Sequence, residues 1–312
     1  MADVGGWFRT AADQTAPTRR IQAWQPSTGF GRVSPDVDVV AAAETLRGRP
    51  TMFLTGAGMS TASGLPDYRG PDAAVRFPMT YQEFVSSDVA RRRYWARSTV
   101  GWLSFRRARP NEAHRLLAEL EGVVPVTAVV TQNVDRLHQR AGSRDVVELH
   151  GSLDRAVCLS CGHAVGRVEM QDRLLALNPD VAPRLRHLAA TSEQAPDGDA
   201  EVEGTDSFEY PSCPECGGLL KPDVVFFGEN ARPEVVSLAF DALDRAESLV
   251  VLGSSLTVMS GLRFVRRAAR DGKDVVIVND GDTRGDELAT LRIHGRLAQV
   301  LATWHEVLGR SA

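Results

Sequence analysis

Four cysteines occur in this chain, in two C-x-x-C pairs: CLSC (Cys158, Cys161) and CPEC (Cys213, Cys216). Two thiolates three positions apart can grip one metal ion from a tight turn, and the glycine after each pair lets that turn close. Together the pairs offer four thiolates, a full tetrahedral set for zinc with no position left for water, so the expected site is structural. Disulfides or buried free thiols are the competing readings. The amino terminus, MADVGGWFRTAADQTAPTRR, lacks the apolar core of a secretory signal. Reduced thiols and a cytoplasmic, bacterial-like setting are therefore expected.

A second set of residues could handle a nucleotide. The stretch TGAGMSTASGLPDYRG places Gly56 and Gly58 in G-x-G spacing after an apolar run. A dehydrogenase fingerprint needs a third glycine at position 61, where Thr61 stands, and an acidic ribose ligand about 20 residues on, which is missing. Further along, TQNVDRLHQRAG carries Gln132, Asn133 and Asp135, amide and carboxylate groups suited to ribose hydroxyls and a carboxamide. ELHGS then brings His150 between an apolar run and a glycine. A histidine at a strand end beside that cluster suits a base that takes a proton from a hydroxyl. The other six histidines read as core or surface groups.

These residues need a scaffold. Short apolar runs at 51–56, 126–133, 248–256 and 274–280 read as buried strands, and 111–121 and 234–246 as helices. The alternation predicts an α/β fold: a Rossmann-like parallel sheet with helices on both faces. Ligands of such sheets bind beyond the C-terminal strand ends, where GAGMS, TQNVD, GSS and NDG would all lie. The cysteine pairs interrupt this order. The expected organisation is an N-terminal arm (1–35), a nucleotide-binding domain (36–70, 111–151 and 222–312), a helical insertion (71–110) and a small zinc-binding module (152–221). The acidic, turn-rich part of 162–212 reads as a mobile loop or a lid. The chain has 312 residues and a net charge of −4. That charge gives no pull toward nucleic acid or anionic lipid, and no apolar run approaches a membrane span. Of 36 basic residues only Lys221 and Lys273 are lysines, a skew that fits a GC-rich bacterial genome.

In this order, GAGMSTASGLPDYRG, TQNVDRLHQRAG, ELHG, the paired C-x-x-C, LKPDVVFFGE, GSSL and IVND resemble the sirtuin family of NAD-dependent protein lysine deacylases, from about residue 50 to 301. RYWARSTVGW and KPDVVFFGEN look closest to its class II branch. The resemblance implies NAD as co-substrate and one structural zinc. It implies that Gly56, Ala57, Gly58 and Ala62 pass near the dinucleotide, the first three close to its pyrophosphate. Asp67, Tyr68 and Arg69 would order over the cofactor, Tyr68 standing where relatives often have Phe. Gln132 and Asn133 would hold the nicotinamide ribose, and Val134 and Asp135 the carboxamide. Gly253, Ser254, Ser255, Asn279, Asp280, Gly281 and Leu297 would surround the adenosine. Val225, Phe227 and Gly228 would meet an acyl-lysine protein or peptide, added as an extra strand.

The chemistry so implied consumes NAD, with His150 and Asn133 as catalytic residues. It yields nicotinamide, O-acyl-ADP-ribose and free lysine. Tyr94 and Arg97 share a helix face, where Arg97 could receive a carboxylate on the acyl tip; a solvated arginine on an Arg-rich helix is the favoured reading. Among rivals, a dehydrogenase fails on Thr61 and the missing ribose carboxylate. A zinc-ribbon binding module fits poorly with the acidic charge and the His150 cluster. ADP-ribosyl transfer to protein from the same NAD site stays open, because both reactions begin with nicotinamide loss.

Overall fold

The computed structural model of the chain describes residues 29–68, 78–185, 187, 189, 198 and 205–309. Its main sheet has six strands: β1 (Thr51–Thr55), β2 (Val126–Thr131), β3 (Val146–Glu148), β7 (Ser248–Leu252), β8 (Asp274–Val278) and β9 (Leu291–Ile293). Their order is β3-β2-β1-β7-β8-β9, and every pairing is parallel. Strands covered on both faces need side chains that are apolar on both faces, which is why TMFLT and SLVVL are buried at every position.

Alternate residues feed two cores. Phe53, Val129, Val250 and Val276 pack under α1 (Asp36–Glu44), α4 (Glu112–Leu120) and α9 (Leu297–Gly309). Met52, Leu54, Val251 and Ile277 pack under α7 (Pro233–Arg245) and α8 (Met259–Arg270). Each large apolar side chain buried this way stabilises the fold by roughly 1.5–3 kcal/mol. The chain leaves the sheet centre in opposite directions from β1 and β7, so the switch point lies between Thr55 and Leu252, where such sheets open a ligand crevice.

A second sheet is antiparallel, with β4 (Gly151–Cys158) between β5 (Ala164–Gly166) and β6 (Leu220–Val224). Pro222 is tolerated because β6 is an edge strand. The expected boundary between residues 221 and 222 falls inside this strand. This sheet shares one core with α2 (Tyr81–Ser86), α3 (Asp88–Arg107) and α6 (Arg167–Leu177) through Trp95, Trp102, Phe105, Leu153, Met170 and Phe226. The helical insertion and the cysteine module are thus packed as one body.

Residues 1–28 of the arm and most of the acidic stretch between 186 and 204 lie outside the described residues. The end of the arm is fastened to the sheet: the Ser34 N–H donates to His294 O at 2.8 Å, and the His294 N–H donates to Ser34 Oγ at 2.9 Å. No helix among the described residues is long and apolar enough to cross a membrane.

Candidate active site

A cavity of about 1830 Å³ opens at the C-terminal edge of the parallel sheet, under the three-stranded module. Every expected nucleotide, catalytic and substrate residue among the described ones lines it, from Gly56 and Ala62 to Leu297 and Gly228. Arg69 lies outside the described residues.

After β1 the chain makes two 3-10 turns, Ala57–Met59 and Thr61–Ser63, where a dehydrogenase would start a crossover helix. The glycines here answer first to a neighbouring loop. The Gly58 N–H donates to Gly253 O at 2.9 Å. A Cβ on Gly56 would stand 2.7 Å from Ser254 Cβ, and one on Gly58 would stand 2.9 Å from Gly253 O. Gly253 has φ +60°, and its own Cβ would fall 2.7 Å from Met59 N. A side chain at Gly56 or Gly58 would therefore strike the loop that follows β7.

Polar side chains knit this loop to the end of β2. Asn133 Nδ2 donates to Gly56 O and to Ser60 Oγ, each at 3.0 Å. Ser60 Oγ donates to Asp135 Oδ2 at 2.6 Å, and the other carboxylate oxygen accepts the Leu137 N–H at 2.8 Å. Burial pushes the Asp135 pKa up against these bonds. Asn111 caps α4 and also donates to Met59 O at 2.8 Å and Ser63 Oγ at 3.0 Å. Ser60 and Asn111 are site-building residues that sequence reasoning passes over. Each has a local signal: a hydroxyl inside GAGMS, and an N-cap asparagine before EAH.

His150 lies in the turn between β3 and β4. Its Nδ1 is 2.9 Å from Gln132 O and its Nε2 is 2.8 Å from Ser260 Oγ. A carbonyl only accepts, so Nδ1 carries the proton and Nε2 offers its lone pair, to which the Ser260 hydroxyl donates. The position is fixed by its neighbours. The Val225 N–H donates to His150 O at 2.9 Å. Gly151 has φ +78°, and a Cβ there would lie 2.0 Å from Asp223 O, so only glycine lets β4 cross β6 at this point. Burial lowers the His150 pKa to about 4; the bond to Gln132 O opposes this, and the Arg263 charge adds to it. The imidazole is thus neutral at neutral pH and able to accept a proton. Gln132 is held in turn by Ser254 Oγ, which donates to Oε1 at 2.7 Å.

At the far end, Asn279 Nδ2 donates to Gly281 O at 2.7 Å, and Asp280 Oδ1 accepts the Gly31 N–H at 2.8 Å. The Phe30 ring lies over Gly281, so close that a Cβ on that glycine would come 2.5 Å from Phe30 Cε1. Phe30 lines the cavity, a place that sequence reading does not give to the arm. On the opposite side, Phe227 stands 39% exposed, edge-on to Tyr68 at 6.2 Å. Its carbonyl accepts the Tyr81 N–H at 3.0 Å. Tyr94 is buried against Phe84 and Phe226, with ring centroids at 5.5 and 5.2 Å. Arg97 is half-buried, and neither it nor Tyr94 lines the cavity.

The four cysteines come together away from this cavity. All four Sγ atoms lie within 4.8 Å of one another, with Cys158–Cys216 at 3.5 Å and Cys161–Cys213 at 3.7 Å. Thiolates bound to one tetrahedral zinc at ~2.3 Å would stand about 3.8 Å apart. The donor set and its spacing fit a structural zinc, and none of the four is in a disulfide.

Residues 56–260 match the Sir2 family model. The chain is 52% identical over 295 residues to NAD-dependent protein deacetylase 1 of Streptomyces coelicolor, covering 93% of this chain and 96% of that one. It is 50% identical over 257 residues to NAD-dependent protein deacetylase 1 of Mycobacterium avium, covering 82% and 91%. Among solved structures it resembles "Sir2-p53 peptide-NAD+", with TM-score 0.65, 33% identity, and 88% and 98% of the two chains covered. The chain belongs to the Sir2 family, the sirtuins, and is an NAD-dependent protein deacylase.

Proposed function

We propose that the cavity removes acyl groups from protein lysines with His150 as general base and NAD as the consumed co-substrate. The observation that carries this is the histidine itself: neutral, with its Nε2 lone pair turned away from Gln132 O. The acyl oxygen attacks C1′ of the nicotinamide ribose as the glycosidic bond breaks. His150 then accepts the proton of a ribose hydroxyl, and the 2′-oxygen closes on the acyl carbon. Water completes the reaction, giving nicotinamide, free lysine and O-acyl-ADP-ribose. Holding both reactants in one cavity supplies much of the acceleration, and the base contributes ~10²–10⁴-fold.

Asn133, Asp135 and Ser60 shape the nicotinamide end. Gly253, Ser254, Ser255, Asn279, Asp280, Gly281 and Leu297 receive the adenosine. The peptide lies along Val225 to Gly228. The Val225 N–H is spent on His150 O, and its carbonyl accepts the lysine amide proton. The relative "Sir2 bound to acetylated peptide" supports acyl-lysine peptides as partners, and RYWARSTVGW supports the class II-like branch. Cys158, Cys161, Cys213 and Cys216 hold the zinc, which secures the small module. The segment boundaries and the cytoplasmic setting given by the sequence belong to the same reading.

A His150→Ala variant should lose deacylation and keep its zinc. Full activity in that variant would sink the assignment.

A further inference from the structure

The hydroxyl of Ser260 meets His150 at the wall of the cavity. It is 2.8 Å from Nε2, the one imidazole nitrogen able to act as a base, because Nδ1 spends its proton on Gln132 O. Ser260 lies in the first turn of α8 and lines the cavity, as His150 does. Its backbone carbonyl is held by Arg263 Nε at 3.1 Å, which fixes the turn that carries the hydroxyl. The next residue is Gly261, where a Cβ would come 2.8 Å from Gln132 Nε2. The Ser260-Gly261 pair therefore fits closely around both His150 and Gln132.

We propose that Ser260 is the hydroxyl through which His150 takes its proton. Its O–H donates to Nε2, so its oxygen lone pairs are left to accept a hydrogen bond from an incoming ribose hydroxyl. In the step, the ribose O–H bond breaks and that proton bonds to Ser260 Oγ. The Ser260 O–H bond breaks in concert, and its proton bonds to His150 Nε2. The ribose oxygen keeps the electron pair and closes on the acyl carbon. The imidazole becomes imidazolium, and Ser260 is again a neutral hydroxyl. The inference rests on the reading of His150 as the base.

The test separates the base step from the cleavage before it. Exchange of labelled nicotinamide into NAD, with acyl peptide present, reads glycosidic cleavage; release of O-acyl-ADP-ribose reads the base step. Ser260→Ala should lower the deacylation kcat about 10- to 100-fold while holding exchange within about twofold of wild type, and Ser260→Thr should restore deacylation. Wild-type deacylation in Ser260→Ala overturns the relay. A parallel fall in exchange and deacylation, or a fall that Ser260→Thr does not repair, also overturns it, because Ser260 would then act on binding or packing. His150→Ala, measured alongside, keeps the two readings distinguishable. If it deacylates normally, the base assignment fails first; if it is inactive while Ser260→Ala is not, only the relay fails.

Discussion

His150 Nδ1 lies 2.9 Å from the carbonyl oxygen of Gln132, and this one contact sets the tautomer of the imidazole. With burial as the main cause, the ring's pKa falls to about 4 from an ordinary value near 6.5. The basic form therefore persists well below the usual histidine range. We expect kcat/KM for NAD to show no loss centred at pH 6.5, and its acid limb to fall at least one unit lower. A limb centred at pH 6.5 in the wild-type profile would contradict this neutral state.

Stability should carry a related signature. His114 and His138 are both fully buried, with rings 4.9 Å apart, and burial lowers their pKa values to about 4 and about 3. His138 Nε2 is 2.9 Å from Thr55 Oγ1, which itself donates to Thr131. The unfolded chain takes up protons below about pH 6.5 and the folded chain does not, so the stabilisation is complete above that pH and is lost as pH falls toward 4. The loss should approach ~1.4 kcal/mol per pH unit for each histidine. Melting temperatures from pH 7.5 to 5 should drop with increasing steepness, and His114→Phe should flatten the slope. A melting temperature unchanged across that range would contradict neutral burial.

The cysteine cluster predicts a metal-dependent module. Cys158 and Cys213 lie in the same core as Trp95, Leu153 and Met170. Losing the metal removes binding free energy on the order of 10 kcal/mol from that core. Cys213→Ser, or prolonged chelation, should release one zinc per chain, lower the melting temperature and abolish deacylation together. Full activity in zinc-free protein would show that the module holds its shape without the ion.

Phe30 predicts a selective binding defect. Its ring covers Gly281 and walls the end of the cavity opposite Phe227. Truncating an aromatic wall of this kind costs about 1–2 kcal/mol, or roughly 5- to 30-fold in affinity. Phe30→Ala should raise KM for NAD by that factor and leave KM for the acyl peptide within experimental scatter. Calorimetry with ADP-ribose should show the same loss, and nicotinamide mononucleotide, which has no adenine, should show none.

The buried parallel strands are legible in the sequence because continuous apolar runs have few other uses in a chain of this composition. β1, β2, β7 and β8 start where those runs start and end one to four residues before them, where the backbone turns to present Gly56, Gln132, Gly253 and Asn279. The strands β3 and β9 have three residues each, too few to carry a pattern, and β6 hides its register behind Lys221, Pro222 and Asp223. The motif residues are legible because their chemistry is local. Ser260 is not: its partner His150 lies 110 residues away, and nothing in TVMSG announces a hydroxyl aimed at an imidazole. Phe30 is hidden for the same reason, since the loop it covers follows β8 near the far end of the chain.

The most direct test of the central claim is a product balance. An acetyl-lysine peptide incubated with NAD and the wild-type protein should yield nicotinamide, deacylated peptide and O-acetyl-ADP-ribose in equal amounts by mass spectrometry, and His150→Ala should yield no deacylated peptide. Deacylated peptide with free acetate and unconsumed NAD, or ADP-ribose attached to the peptide in place of the acyl product, would contradict the account.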